Sequence, residues 1–253
     1  MIICSVSTIP DRSNDFLRVL DELLLSTVIP DFIYVSISKF YPRLGKSHTE
    51  EEINSIFSKL DNYPIKNKIV FYESDIGPCC KLLTPLKEGV DADDVLIIMD
   101  DDNGLFPTAV ECLVSGYNNY GKDAVYGIMG TIGESDDTKF IHGEMVRDGY
   151  FLVNLLGGYR GVLYPSHLIP YNDILKWVNN FIDSYKIHNM IPDHDDSIFS
   201  AYLSKNRIQS RVVPVFPNDR LNYFPKENSN GIFQDQNLQK SLSIFHETLK
   251  KLS

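Results

Sequence analysis

The sequence predicts an α/β protein: a single α/β/α sandwich around a central, mostly parallel, Rossmann-like sheet. In its first hundred residues, short apolar runs rich in β-branched side chains alternate with segments whose apolar residues recur every three or four positions. Such an alternation favours parallel strands joined by right-handed helical crossovers. The chain has 253 residues, 43% hydrophobic and 23% charged, which is enough to bury such a sheet in one domain.

The first half of the chain contains four predicted strands and three predicted helices. The helix at residues 14–26 is expected to be capped by Asn14, and the second helix begins with a capping box of Thr49 and Glu52. The third helix is predicted over residues 79–89. The four strands are predicted over residues 1–8, 32–38, 69–73 and 95–99.

The second half is predicted to continue with shorter elements. Helices are expected over residues 107–120, 171–184 and 197–203, with strands over residues 124–131, 139–142 and 208–216 and a turn at 134–137 between the first two strands. After an irregular stretch at 218–231, a terminal helix is predicted at 234–252. One domain is expected, with a first part over residues 1–103, a second over residues 104–216 and an extension over residues 217–253.

Charge and cysteine content exclude several classes of protein. A formal net charge of -10 argues against a nucleic-acid polymer as partner but allows a single nucleotide, whose phosphates a cation can hold. The four cysteines lack metal-binding spacing and are expected to be free thiols. No signal-like N-terminus or membrane-spanning run is found, so a cytoplasmic location is expected.

Three consecutive carboxylates, Asp100, Asp101 and Asp102, follow the apolar run of residues 95–99. Such a run is typical of a strand buried on both faces, whose carboxyl end opens into a cleft. The repulsion among the three charges is relieved by a divalent cation, for which carboxylate and phosphate oxygens are suitable ligands. An acidic turn that merely ends the strand explains the same residues.

Other polar segments follow the predicted strands and are therefore expected at the same edge of the sheet, where α/β proteins bind ligands. They are residues 8–12, Ser38 and residues 75–78. Their convergence with the acidic triplet favours a nucleotide site.

Two further segments suggest a second half of the site. Glycines flank Tyr159 and Arg160 at residues 157–161, which lets the backbone approach a ligand, although a glycine-rich bend between strands explains them too. Residues 193–196 place three carboxylates and a histidine before a helix, more than the helix dipole requires.

Together these motifs resemble nucleotide-sugar-dependent glycosyltransferases of the GT-A fold, family 2-like, over residues 2–216. The resemblance implies that residues 100–102 are the Asp-x-Asp motif and that Asp195-Asp196 is the acidic pair containing the catalytic base. Asp100 and Asp102 would bind Mn²⁺ or Mg²⁺. Residues 1–103 would be the nucleotide-binding half of the domain and residues 104–216 the acceptor and catalytic half. The residues expected to contact the donor are Thr8, Pro10, Arg12, Ser38, Asp75, Gly77, Lys81, Asp101, Gly158 and Tyr159.

The resemblance implies transfer, with inversion, from a nucleotide diphosphate sugar, by default a UDP-sugar, to a hydroxyl of a glycan or glycoprotein. Relatives often carry glutamate first in the acidic pair, so the sequence leaves open whether Asp195 or Asp196 is the base. Two alternatives are a nucleotidyltransferase that makes nucleotide sugars and a non-catalytic nucleotide- or sugar-binding module. The first usually has a glycine-rich basic loop after strand one, where this chain has Ser7-Thr8-Ile9-Pro10.

Overall fold

The computed structural model describes residues 1–73, 75–133, 139–186 and 195–216. Its main feature is an eight-stranded sheet in the order β3-β2-β1-β4-β10-β5-β11-β8. The strands of this sheet are β1 (Ile2–Ser7), β2 (Phe32–Ser38), β3 (Lys66–Tyr72), β4 (Val95–Met99), β5 (Ala124–Gly127), β8 (Phe151–Val153), β10 (Val162–Pro165) and β11 (Gln209–Val212).

Strands β1 to β4 are parallel, as the alternation of strands and helices predicts. Strand β10 lies antiparallel between β4 and β5 and thereby joins the two halves of the chain in one sheet. The edge strand β8 is antiparallel to β11. A smaller antiparallel sheet, in the order β7-β6-β9, consists of β6 (Met129–Ile132), β7 (Lys139–His142) and β9 (Leu155–Leu156).

Within these described ranges, six helices cover the two faces of the main sheet. The cluster on one face includes side chains of the first, second and fourth helices, and the cluster on the other face includes those of the third, fifth and sixth. They are α1 (Ser13–Leu23), α2 (Glu50–Asp61), α3 (Cys80–Glu88), α4 (Ala109–Tyr120), α5 (Tyr171–Lys186) and α6 (Asp195–Lys205). In the described part of the chain, no helix is both long and apolar enough to cross a membrane.

Strand β4 is buried along its whole length, and its side chains alternate between the two clusters. Val95, Ile97 and Met99 pack with the first cluster, and Leu96 and Ile98 with the second. Burying such a side chain stabilises the fold by about 1.5–3 kcal/mol. The continuous apolar run therefore reflects a central strand covered on both faces, as predicted.

Several predicted boundaries are corrected. Residues 124–131 form two strands, not one, because the chain leaves the main sheet after Gly127 and enters the small sheet at Met129. Strand β3 begins at Lys66, since its register with β2 starts there. Helix α1 begins at Ser13 without a side-chain cap from Asn14 or Arg12. The last strand is limited to Gln209–Val212.

The predicted capping box is confirmed: Thr49 and Glu52 exchange both hydrogen bonds at the start of α2. All four cysteines are free and buried, as expected. The predicted turn at 134–137, the residues Asp193 and His194, and the extension with its helix at 234–252 lie outside the described residues.

Candidate functional site

The carboxyl ends of β1 to β4 lie at one edge of the sheet, and the predicted donor and metal residues follow these strands. The first residues of α6 approach the same edge, since Lys81 of α3 forms ion pairs with residues after β4 and at the start of α6. Two segments about a hundred residues apart in sequence, at 100–102 and 195–196, therefore contribute to one site.

Lys81 lies at the centre of this site with only 4% of its surface exposed. Its Nζ is 2.6 Å from Oδ1 of Asp100 and 2.9 Å from Oδ2 of Asp195. Burial alone would lower the pKa of Lys81, but the charges of Asp100, Asp195 and Asp196 outweigh burial and raise that pKa well above its usual value. The lysine therefore stays charged and holds the acidic pair next to the acidic triplet.

Asp196 is held by the glycine-rich segment, as a 3₁₀ turn over Gly158–Arg160 presents a backbone N–H to it. The N–H of Gly158 donates to both carboxylate oxygens of Asp196 at 2.9 Å. Burial, and next the charge of Asp195, raises the pKa of Asp196 well above its usual value, while Lys81 opposes this. A Cβ at residue 158 would lie 2.7 Å from Oδ1 of Asp196, so a side chain at this position would displace the carboxylate.

The acidic triplet is divided between two cations. Arg12 Nη1 is 3.0 Å from Oδ1 of Asp101 and 3.0 Å from Oδ2 of Asp102, whereas Asp100 contacts Lys81. Asp101 is buried, and this burial raises its pKa to about 6 although Arg12 lowers it. Arg18 of α1 donates to the backbone carbonyl of Asp102 at 2.7 Å.

Asp100 and Asp102 keep 29% and 34% of their side-chain surfaces exposed at the rim of the sheet. Among the described residues, no three His, Cys, Asp or Glu side chains converge as a protein-only metal centre. Two accessible carboxylates do fit a hard divalent cation whose remaining ligands come from phosphate and water. The residues present thus fit the predicted Mn²⁺ or Mg²⁺ as part of a bound nucleotide complex.

Several of the residues predicted to contact the donor are buried. Thr8, Pro10 and Ser38 are buried, and the hydroxyl of Tyr41 donates to the carbonyl of Thr8 at 2.7 Å and accepts from the N–H of Ser38 at 2.9 Å. The Asp75 side chain is 2% exposed: it accepts from the N–H of Gly77 at 2.8 Å and pairs with Nε of Arg43 at 3.1 Å. The backbone of Tyr159 lies in the 3₁₀ turn, and its side chain is outside the described residues.

Four residues that contact these segments were not predicted: Tyr41, Arg43 and His48, which lie between β2 and α2, and Arg18 of α1. The side chain of His48 is buried, with Nε2 3.4 Å from the carbonyl oxygen of Thr8 and its ring edge against Tyr41. Burial lowers the pKa of His48 and favours the neutral ring. The available signal was the occurrence of Phe40, Tyr41 and His48 within one short segment.

No protein-family model matches the sequence, and a search among curated proteins finds no similar sequence. Solved structures do match. The mannosyltransferase PcManGT from Pyrobaculum calidifontis, in complex with GDP-Man and Mn²⁺, matches over 84% of this chain and 54% of its own, with 12% identity and a TM-score of 0.51. Residues 1–349 of S. aureus TarS, in complex with UDP-GlcNAc, match over 83% and 55%, with 15% identity and a TM-score of 0.50.

A UDP-glucose pyrophosphorylase complexed with UDP-glucose also matches, over 98% of this chain and 99% of its own, with 9% identity. Its TM-score of 0.49 is too low to support a functional argument. The chain spans about half the length of the mannosyltransferase and of the TarS fragment. Identities this low establish the fold alone. The chain has the GT-A-like fold of these glycosyltransferases, as its motifs predict.

Proposed function

We propose that the protein is a metal-dependent glycosyltransferase that moves a sugar, with inversion, from a nucleotide diphosphate sugar to a hydroxyl of a glycan or glycoprotein. The observation that carries the proposal is the Lys81 bridge, which joins Asp100 of the predicted diphosphate side to Asp195 of the predicted base side. Glycosyl transfer needs both groups on opposite sides of one anomeric carbon. A UDP-sugar is the proposed donor, from the resemblance to family 2-like enzymes.

On the donor side, positive charge has to stabilise the leaving diphosphate. A Mn²⁺ or Mg²⁺ ion held by Asp100 and Asp102 would supply charge to the diphosphate oxygens when bound. Arg12 and Lys81 are this chain's own cations at the same edge, and each already contacts a carboxylate of the triplet. These contacts support the proposal that both side chains pair with phosphate oxygens when the donor binds.

On the acceptor side, Asp196 is the proposed catalytic base. Asp195 is engaged by the ammonium group of Lys81 at 2.9 Å, which leaves Asp196 as the member of the acidic pair that takes the proton of the attacking hydroxyl. A carboxylate with an ordinary pKa is a weak base, but the raised pKa of Asp196 makes it a better proton acceptor near neutral pH. The Gly158 N–H fixes the orientation of its two oxygens.

Release of UDP from a panel of UDP-sugars, with MnCl₂ or with EDTA, tests the proposal. Wild type is expected to release UDP only with the metal, whereas D196N loses about a hundredfold or more in kcat, the contribution typical of a general base. The exposed first-turn residue Asp173 of α5 provides the matched control D173N, which keeps full activity.

The pH profile is the second readout. Because the base must be ionised, kcat/KM is expected to fall as the pH is lowered through the raised pKa of Asp196, and D196N to lack this acidic limb. Pyrophosphate release from a nucleoside triphosphate and a sugar phosphate, without UDP release from any sugar nucleotide, would instead assign the chain to the nucleotidyltransferases. Equal activity in D196N and wild type would move the base to another residue.

A further inference from the structure

Two segments meet beside the acidic triplet: the 8–13 loop, which connects β1 to α1, and the 41–52 segment, which leads into α2. Four side chains of the 41–52 segment contact the 8–13 loop: Tyr41, Lys46, His48 and Glu52. Tyr41 and His48 approach the carbonyl oxygen of Thr8, and Lys46 pairs with Asp11. The 8–13 loop, which is expected to contact the nucleotide, is thus held on one side by the 41–52 segment.

Glu52 makes the most contacts across this boundary. Its Oε1 accepts from the N–H of Asp11 at 2.7 Å and from the hydroxyl of Ser13 at 3.1 Å. Its Oε2 accepts from the N–H of Thr49 at 2.7 Å and completes the capping box of α2. These three donors lower the pKa of Glu52 even though its partial burial acts in the opposite direction. One oxygen therefore serves the helix and the other serves the loop.

The loop conformation that Glu52 stabilises is an unfavourable one. Asp11 has φ 71°, in the left-handed region that residues other than glycine seldom adopt. Such a conformation persists only where surrounding contacts over-determine it. The next residue, Arg12, projects from this strained position to Asp101 and Asp102 at 3.0 Å each. Releasing Asp11 would therefore release the backbone that directs Arg12 toward the triplet.

We propose that Glu52 is a positioning residue for nucleotide binding: by holding Asp11 and Ser13, it fixes the backbone from which Arg12 reaches the acidic triplet. This inference rests on the proposed function, because it assumes that the triplet binds the diphosphate of a donor. Glu52 acts through Arg12 and need not touch the nucleotide. The role is additional to its cap on α2, and the two roles can be separated by substitution.

The separation uses four variants. In E52Q the amide oxygen can still accept from Thr49, but the amide nitrogen then faces the N–H of Asp11 and cannot accept from it. S13A removes one of the two loop contacts and leaves the cap. T49A removes the Thr49 hydroxyl of the cap and leaves the loop contacts. E51Q removes an exposed charge one residue away.

The affinity for UDP, measured by calorimetry in MnCl₂ with GDP as a second probe, gives the result. We expect E52Q to weaken UDP binding about tenfold and S13A about threefold, since the loss of a hydrogen bond corresponds to factors of this size. T49A and E51Q should stay within about twofold of wild type, although T49A lowers Tm by about 2–4 °C through loss of the cap. A merely structural role of Glu52 would instead make affinity follow Tm in all four variants, which overturns the inference.

A double-mutant cycle tests the route through Arg12. If Glu52 acts by directing Arg12, R12Q weakens UDP binding and adding E52Q weakens it little further, because the two side chains serve one contact. Full additivity of the two losses would overturn the inference while leaving the proposed function in place. If the wild-type protein binds neither UDP nor GDP, both the inference and the proposed function are overturned. If wild type and E52Q bind UDP equally tightly, only the inference is overturned.

Discussion

Lys81 shows how a single buried charge can organise a site. The lysine has little access to water, so its solvation comes from the carboxylates of Asp100 and Asp195. A buried ion pair offsets the cost of desolvation only while both partners remain. The distances from Lys81 to the acidic triplet and to the acidic pair could not be predicted from the sequence, because the three segments lie far apart along the chain. The sequence predicted Lys81 as a phosphate contact and did not predict its pairing with Asp195.

Replacing Lys81 by methionine is expected to lower the free energy of unfolding by about 3–5 kcal/mol at pH 7, because it leaves the buried carboxylate of Asp195 unpaired. The deficit relative to wild type should narrow as the pH falls, because burial already raises the pKa of Asp196 and loss of the opposing Lys81 charge makes this carboxyl cost more stability when it is ionised. Urea unfolding of both proteins between pH 4 and pH 8 measures this. K39M removes an exposed ion-pair partner and should change stability little at any pH. A K81M deficit that is small, or constant with pH, would contradict the buried ion-pair description.

At the scale of the element, predictions succeeded where a segment's own pattern determines its structure. Strands β2 and β4 were predicted with the bounds they have, because continuous apolar or alternating runs end at polar residues. The division of residues 124–131 into two strands was missed, since partners elsewhere decide which sheet each half joins. Likewise the 41–52 segment has no periodicity, so only tertiary contacts reveal that it supports the 8–13 loop.

The 3₁₀ turn over Gly158–Arg160 provides the test at this scale. In G158A the new Cβ would lie 2.7 Å from Oδ1 of Asp196, so the carboxylate has to shift away from the Gly158 N–H. A shift of about 1 Å in a reacting group can reduce turnover about a hundredfold. We therefore expect kcat for UDP release to fall about ten- to a hundredfold, with KM for the donor less affected.

The control for this variant is G149A, at a glycine with φ 76° where an added Cβ would have no other atom within 4 Å. It should cost about 1 kcal/mol of stability through backbone strain and leave kcat unchanged. A folded G158A protein with wild-type kcat would show that the orientation of Asp196 does not matter for turnover.

At the scale of the whole molecule, the site depends on antiparallel strand β10, which joins strands β1 to β4 to the rest of the sheet. The fold class and the edge of the sheet that carries the site were predictable, since both follow from the order of strands and helices. The ion pairs between residues of the two halves of the chain were not predictable. A chain with a net charge of -10 that gathers five carboxylates at one edge gains from any cation bound there.

Ligand-induced stabilisation measures this gain. UDP with MnCl₂ at about a hundred times its Kd should add about 2.7 kcal/mol to the free energy of unfolding, which for a chain of this size raises Tm by about 5–10 °C. MnCl₂ alone should raise Tm less, because Asp100 and Asp102 need the diphosphate oxygens to complete the metal's ligands. In the double variant D100N/D102N, or in EDTA, the shift with UDP should largely disappear, whatever the Tm of the unliganded protein. An equal shift with UDP in EDTA would place nucleotide binding on Arg12 and Lys81 without a metal, since these are the cations that already neutralise the triplet.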